Sequence, residues 1–158
     1  QGIKPNIRSW GALLDAIGKA GQVADMMAWY GEMLTSGGVK PNIIIMTTLL
    51  DNAGKARELG VAEGIWREMR DRQLEPDVWS YAALITCYAM AKQPDKAEDV
   101  LAEMVQSATI KPNAITFNSI MKAYMNDKRL DEAERVIGRM RAAGVEPILG
   151  TWTGIIHA

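Results

Sequence analysis

The chain has 158 residues, 48% hydrophobic and 23% charged, an ordinary globular balance that excludes disordered and collagen-like classes. Eighteen Lys and Arg against nineteen Asp and Glu leave a net charge of −1, so no bulk positive charge advertises a polyanionic partner. A single cysteine, Cys87, excludes an intrachain disulfide framework and fits a reducing compartment.

The chain opens on Gln1, Gly2, Ile3, Lys4 and Pro5, which do not read as a signal peptide. Pro5 begins a series. A proline preceded by Lys or Glu recurs at Pro41, Pro76, Pro112 and Pro147, at intervals of 36, 35, 36 and 35 residues. Met33, Met69, Met104 and Met140 each follow the preceding proline by 28 residues. From Met to the next proline the distance is 8, 7, 8 and 7. The constant segment therefore holds packed elements, and the variable one is a loop that tolerates an extra residue.

Within the constant segment the apolar period is helical, and a polar or Gly break divides it in two. In the first repeat Gly21 marks the break. In the third, Gln93-Pro94 marks it, and Pro94 suits a helix's first turn, where its missing N–H costs nothing. In the fourth, Phe117, Ile120, Met121 and Tyr124 form one helical face. Asn126-Asp127-Lys128-Arg129 then breaks the pattern, and Leu130, Ala133, Ile137 and Met140 form a second face. Each repeat thus reads helix, turn, helix, loop. The spacing predicts core positions at Trp10, Met46, Tyr81, Phe117 and Trp152, five residues after each proline. Further core is expected at Tyr30, Trp66, Leu101 and Ile137, with small Ala62, Ala97 and Ala133 (Met26 in the first repeat) allowing close helix approach. Residues 78–91 form the longest charge-free apolar stretch, fourteen residues, too short to span a membrane. The expected fold class is all-α, an αα-hairpin solenoid. It has about four tandem repeats (7–42, 43–77, 78–113 and 114–148) in one array over 1–158, with partial repeats at 1–6 and 149–158. Trp152, Ile155 and Ile156 would lack their own second helix, so a longer parent chain or a covering partner is expected.

The repeat wording resembles the pentatricopeptide repeat in its plain 35-residue form. It does so most clearly in Pro76-Asp77-Val78-Trp79-Ser80-Tyr81-Ala82-Ala83-Leu84-Ile85 and Pro112-Asn113-Ala114-Ile115-Thr116-Phe117-Asn118-Ser119-Ile120-Met121. The second-helix starts Asp95-Lys96-Ala97-Glu98 and Asp131-Glu132-Ala133-Glu134 match too. The tetratricopeptide repeat fits less well, because its period is 34 and Leu14 stands where it wants Gly. The resemblance implies a right-handed solenoid whose first helices line a concave wall and bind single-stranded RNA, one base per repeat. It also implies action in the chloroplast or mitochondrion, on transcript processing, stability, splicing, editing or translation.

By the same resemblance, bases are read by the fifth residue of a repeat with its last. Those pairs are Gly11 with Asn42, Thr47 with Asp77, Ala82 with Asn113, and Asn118 with Ile148. Thr47 with Asp77 implies guanine; the other pairs are half empty, so loose readout is expected. The second residue of a repeat flanks the base: Arg8, Ile44, Trp79 and Ile115, with Gly150 beyond. Trp79 offers a stacking platform. Lys19, Lys55 and Lys122 are phosphate candidates on first helices, and Lys92 and Lys128 share the turn position. Asn42, Asp77 and Asn113 also suit plain helix capping. The acidic runs Glu98-Asp99 and Asp131-Glu132 read as the solvated outer side of second helices. Cys87 reads as core.

One His and one Cys assemble neither a zinc set nor a nucleophile triad, and no phosphate-binding Gly-rich motif is present. No cofactor, metal, small-molecule substrate or catalytic residue is expected. The two functions in play are an organellar RNA-binding module and a protein-binding scaffold in an organellar complex, such as a ribosome or a photosynthetic assembly. The family resemblance with Thr47, Asp77, Trp79, Asn118 and the lysines supports the first, the preferred reading; near-zero charge, the empty reading positions and the exposed apolar ends support the alternative.

Overall fold

The structure, a computed structural model, describes residues 4–36, 38–148 and 151. Among them are eight α-helices and no strand. They are α1 (Ile7–Lys19), α2 (Val23–Ser36), α3 (Ile43–Lys55), α4 (Leu59–Asp71), α5 (Val78–Met90), α6 (Pro94–Gln106), α7 (Ala114–Asn126) and α8 (Leu130–Ala142). The chain divides into two compact units, Gln1–Pro76 and Asp77–Ala158. In the first, α1 packs on α2 and α3, α3 packs on α4, and α2 meets α3. In the second, α5 packs on α6 and α7, α7 packs on α8, and α6 meets α7. Within each unit the first helices of the two hairpins therefore lie side by side.

First and second helices start differently. Each first helix is capped by a side chain that accepts from a backbone N–H of its first turn. The caps are Asn6 from Ser9, Asn42 from Ile45, Asp77 from Ser80, and Asn113 from Ile115 and Thr116. Thr116 returns the bond by accepting the Asn113 N–H, completing a capping box. The starts of α4, α6 and α8, at Glu58, Gln93 and Arg129, carry no such side-chain bond. Acidic residues in the first turns of α6 (Asp95) and α8 (Asp131, Glu132) offset the helix dipole instead, and Pro94 occupies the first turn of α6.

The hairpin turn is the same four times. Gly21, Arg57, Lys92 and Lys128 adopt φ of 78°, 64°, 56° and 61°. The following N–H then reaches back to a carbonyl five residues earlier, as from Gln22 to Ile17, Glu58 to Ala53, Gln93 to Tyr88 and Arg129 to Tyr124. These are Schellman closures, which favour Gly at the left-handed residue. Three of the four places are filled by a cation instead.

The core follows the proline–methionine series. Met33, Met69, Met104 and Met140 are fully buried, as are Met26, Ala62 and Ala97, with Ala133 nearly so. Trp10, Met46, Tyr81 and Phe117 are buried, and so is Cys87; Trp152 and Gly150 lie outside the described residues. The second-helix face is rotated from the expected one. Tyr30 and Leu101 are buried, but Trp66 and Ile137 are half-buried, while Ile65, Val100 and Val136, one residue earlier, are buried. Leu130 is exposed, because a rotation of about 100° per residue carries it off the line of Ala133, Val136 and Met140.

Glu98 corrects a second expectation. It is half-buried rather than solvated, accepting from the Tyr124 hydroxyl at 2.9 Å and from both Arg139 terminal nitrogens at 2.6 and 2.9 Å. It thereby ties α6 to α7 and α8. In the first unit, Tyr30 on α2 donates to Glu68 on α4 at 2.7 Å.

Candidate nucleic-acid interface

The second residue of every first helix points away from the core. Arg8 on α1 and Ile44 on α3 are exposed, Ile44 by 69%; Trp79 on α5 is 61% exposed and Ile115 on α7 40%. One exposed apolar side chain needs no explanation, but repetition at one helix position does. Ile44, Trp79 and Ile115 are the three apolar side chains at this position.

Asn42, Asp77 and Asn113, the last residues of the first three repeats, lie beside that position as caps of the next first helix. Capping decides which of its atoms remain. Asn42 Oδ1 accepts from Ile45 N–H at 3.0 Å, so the amide NH2 of Asn42 is the group left to reach outward, a donor. Asp77 uses one oxygen to accept from both the Ser80 N–H and hydroxyl, each at 2.8 Å, leaving the other as an acceptor. Asn113 is committed through Oδ1 like Asn42. Ile148 is exposed and offers no polar side-chain atom.

The fifth residues lie on the first helices. Thr47 is half-buried on α3. Asn118 on α7 is half-buried, and its Oδ1 accepts from the Thr151 hydroxyl at 2.7 Å. Thr151 Oγ1 also accepts the Ile148 N–H at 3.1 Å. The Asn118 carbonyl is thus spoken for, and its NH2 is what a ligand would meet.

In the first unit these positions converge on one open cleft of about 300 Å³ between α1 and α3. Arg8, Gly11, Asp15, Asn42, Ile44 and Thr48 line it. Flanking, reading and capping positions of the first repeat are therefore gathered in one place, along with an aspartate that the sequence reading did not select.

Two of the candidate lysines are paired with carboxylates. Lys19 Nζ lies 2.6 Å from Asp15 Oδ2, and Lys55 Nζ 2.6 Å from Asp51 Oδ2, both one helical turn apart. Lys19 beside it holds the Asp15 carboxyl below its ordinary range against partial burial, and a hydrogen bond from Asn52 adds to the effect. The same pairing raises Lys19. Asp15 also senses Lys55, and Lys19 senses Asp51, so the four charges alternate across neighbouring helices. Lys122 on α7 is exposed. The Asp-x-x-x-Lys spacing was visible in the sequence, and it is the signal that identifies these pairs. Among the described residues no group of three or more His, Cys, Asp or Glu could hold a metal, and no helix is long and apolar enough to cross a membrane.

A family model described as a pentatricopeptide repeat domain matches residues 31–88, 64–127 and 105–158, and a single-repeat model matches 8–38. The chain belongs to the pentatricopeptide repeat family. Its all-α helical-repeat solenoid fold is shared with solved members. The maize pentatricopeptide repeat protein PPR10 aligns with 97% of this chain and 22% of its own, at 26% identity and a TM-score of 0.80. PPR10 in complex with an 18-nt psaJ RNA element aligns with 98% of this chain and 22% of its own, at 23% identity and a TM-score of 0.87. Among curated relatives, a chloroplastic pentatricopeptide repeat-containing protein of Arabidopsis thaliana is 30% identical over 96 residues, 61% of this chain and 12% of that protein. The small ribosomal subunit protein mL103 (rPPR7) of the same plant is 31% identical over 99 residues, 63% of this chain and 24% of that protein. The pentatricopeptide match thus covers repeats only, over a small share of the relatives' lengths.

Proposed function

We propose that this chain is a single-stranded RNA-binding repeat module of a chloroplast or mitochondrial protein acting in transcript processing, stability, splicing or translation. The observation that carries the reading is the recurrence of exposed Ile44, Trp79 and Ile115 at one helix position, each next to a polar cap (Asn42, Asp77, Asn113) with an atom left for a ligand. Such side chains can flank and stack on unpaired bases. The similarity to PPR10, solved with an RNA element, supports the same reading. Repeats 7–42, 43–77, 78–113 and 114–148 would each address one base. Readout is loose, since Gly11, Ala82 and Ile148 offer no polar side-chain atom. No side chain is assigned a catalytic role.

Titration of labelled single-stranded RNA libraries at low salt tests this. Binding should be measurable and should weaken gently as salt rises, because Lys19 and Lys55 are already paired with carboxylates. Thr47→Asn should shift the preferred base at one position. Absence of binding at low salt ends the reading.

One observation favours a second reading, a protein-binding scaffold in an organellar complex: the paired lysines leave little net positive charge on α1 and α3, and the relatives include a ribosomal subunit protein. Copurification of a defined protein in fixed ratio, with no RNA binding, would establish it.

A further inference from the structure

We propose that Asp15 reads the base held in the α1–α3 cleft, where Gly11 leaves the usual reading position blank, and that the base it selects is guanine. The inference rests on the RNA-binding reading above and adds to it a specificity-determining residue.

Gly11 and Asp15 are four residues apart on α1, so they share a helix face, with Asp15 about 6 Å further along. Both line the cleft, with Asn42 and Ile44. Without a side chain at Gly11, a base edge entering between Arg8 and Ile44 meets Asp15 as the nearest anion on that face. The carboxylate is held in position from behind. Lys19 Nζ donates to Oδ2 at 2.6 Å, and Asn52 Nδ2 donates to Oδ1 at 3.3 Å. Each carboxylate oxygen accepts more than one bond, so both can still receive a donor. The lowered Asp15 pKa keeps the group charged at neutral pH.

The pattern of donors and acceptors then picks the base. Two adjacent acceptors on Asp15 want two adjacent donors, and the outward NH2 of Asn42 wants an acceptor beside them. Guanine's Watson–Crick edge carries N1–H and N2–H2 next to O6. Adenine and cytosine each turn a bare ring nitrogen to the carboxylate, and uracil has a single N–H between two carbonyls. Guanine alone satisfies all three groups, and a bidentate carboxylate contact discriminates because the other bases set a ring-nitrogen or carbonyl lone pair against the carboxylate.

The test is selection from a randomised single-stranded RNA pool by the intact chain, read by sequencing. Wild type, Asp15→Asn and Gly11→Asn are compared, with thermal melts as a folding control. Wild type should yield two guanine-enriched columns, one owed to Thr47 with Asp77 and one to Asp15, and Asp15→Asn should lose the second alone, by about tenfold in preference. Preference is the readout because removing the negative charge raises affinity for every RNA. Gly11→Asn leaves the Asp15–Lys19 pair intact but fills the cleft: a Cβ there meets only the Ile45 Cδ1 tip, at 3.2 Å. It should move the same column away from guanine. If RNA binds and both variants keep the wild-type columns, Asp15 is not a reader and this inference alone fails. If wild type binds no RNA at low salt, the underlying reading fails with it.

Discussion

A Cβ on Gly18 would sit 2.5 Å from Cγ of Asn52, closer than two such atoms can approach. Here α1 and α3 touch, and Asn52 is buried with its Nδ2 donating to the Thr48 carbonyl at 3.0 Å and to Asp15. Its Oδ1 is buried without a protein partner. Gly18→Ala gains helix propensity of about 1 kcal/mol yet should destabilise the first unit by roughly 1–3 kcal/mol, since overfilling a tight contact costs more. Asn52 Cβ would also lie 2.6 Å from the added atom, so Asn52→Gly is the change that removes the obstruction, and the double variant should lose less than the two single variants together. Urea unfolding of the four-member cycle measures the coupling; strictly additive losses would disprove the contact.

Arg57, Lys92 and Lys128 take the left-handed conformation that Gly21 takes without strain. Replacing each by Gly should stabilise by about 0.5–1 kcal/mol, through relief of Cβ strain at a Schellman closure. Thermal melts of the single and triple variants check it, with Gly21→Ala falling in the opposite direction.

Asp77 combines a cap with a candidate reading atom, and the two roles can be separated. Asp77→Ala should cost about 1 kcal/mol, as loss of an N-cap does. Asp77→Asn keeps an oxygen for the Ser80 N–H and should leave the melt nearly unchanged, while converting the outward acceptor to a donor and changing base preference. A chemical-denaturation series paired with RNA selection on both variants distinguishes cap from reader.

Trp79 is 61% exposed on α5. Trp79→Ala should leave the melting temperature within a degree or two yet weaken RNA binding by roughly 1–3 kcal/mol, the worth of an aromatic base stack. Fluorescence anisotropy with a labelled oligomer reports it, and equal affinity would show that this tryptophan stacks on nothing.

Burial, then the hydrogen bond to Glu98, pushes the Tyr124 hydroxyl up to about 12 from an ordinary value of 10.0. The sign follows from proton counts. Between pH 10 and 12 the folded state keeps a proton that the unfolded chain has released, so stability falls as pH rises through that window and is intact below it. Tyr30, raised in the same direction by burial and then by Glu68, adds to the slope. Urea midpoints at pH 9, 10.5 and 11.5 should fall less steeply for Tyr124→Phe than for wild type.

Spacing alone carried the hairpin count, the turn positions and most of the core, because a helix converts sequence distance into a face and Pro to Met stays at 28 residues throughout. Met33, Met69, Met104 and Met140 are buried for that reason, and Asn42, Asp77 and Asn113 cap helices because short polar side chains stand just before them. The atoms each candidate reader has left were decided by tertiary structure. Asn118 accepts from Thr151 thirty-three residues away, Glu98 gathers Tyr124 and Arg139, and Asp15 meets Asn52 from the neighbouring helix. Such bonds depend on the distance and angle between side chains of different helices. No local period encodes those quantities, so only the packed chain shows which groups are occupied and which still face a ligand.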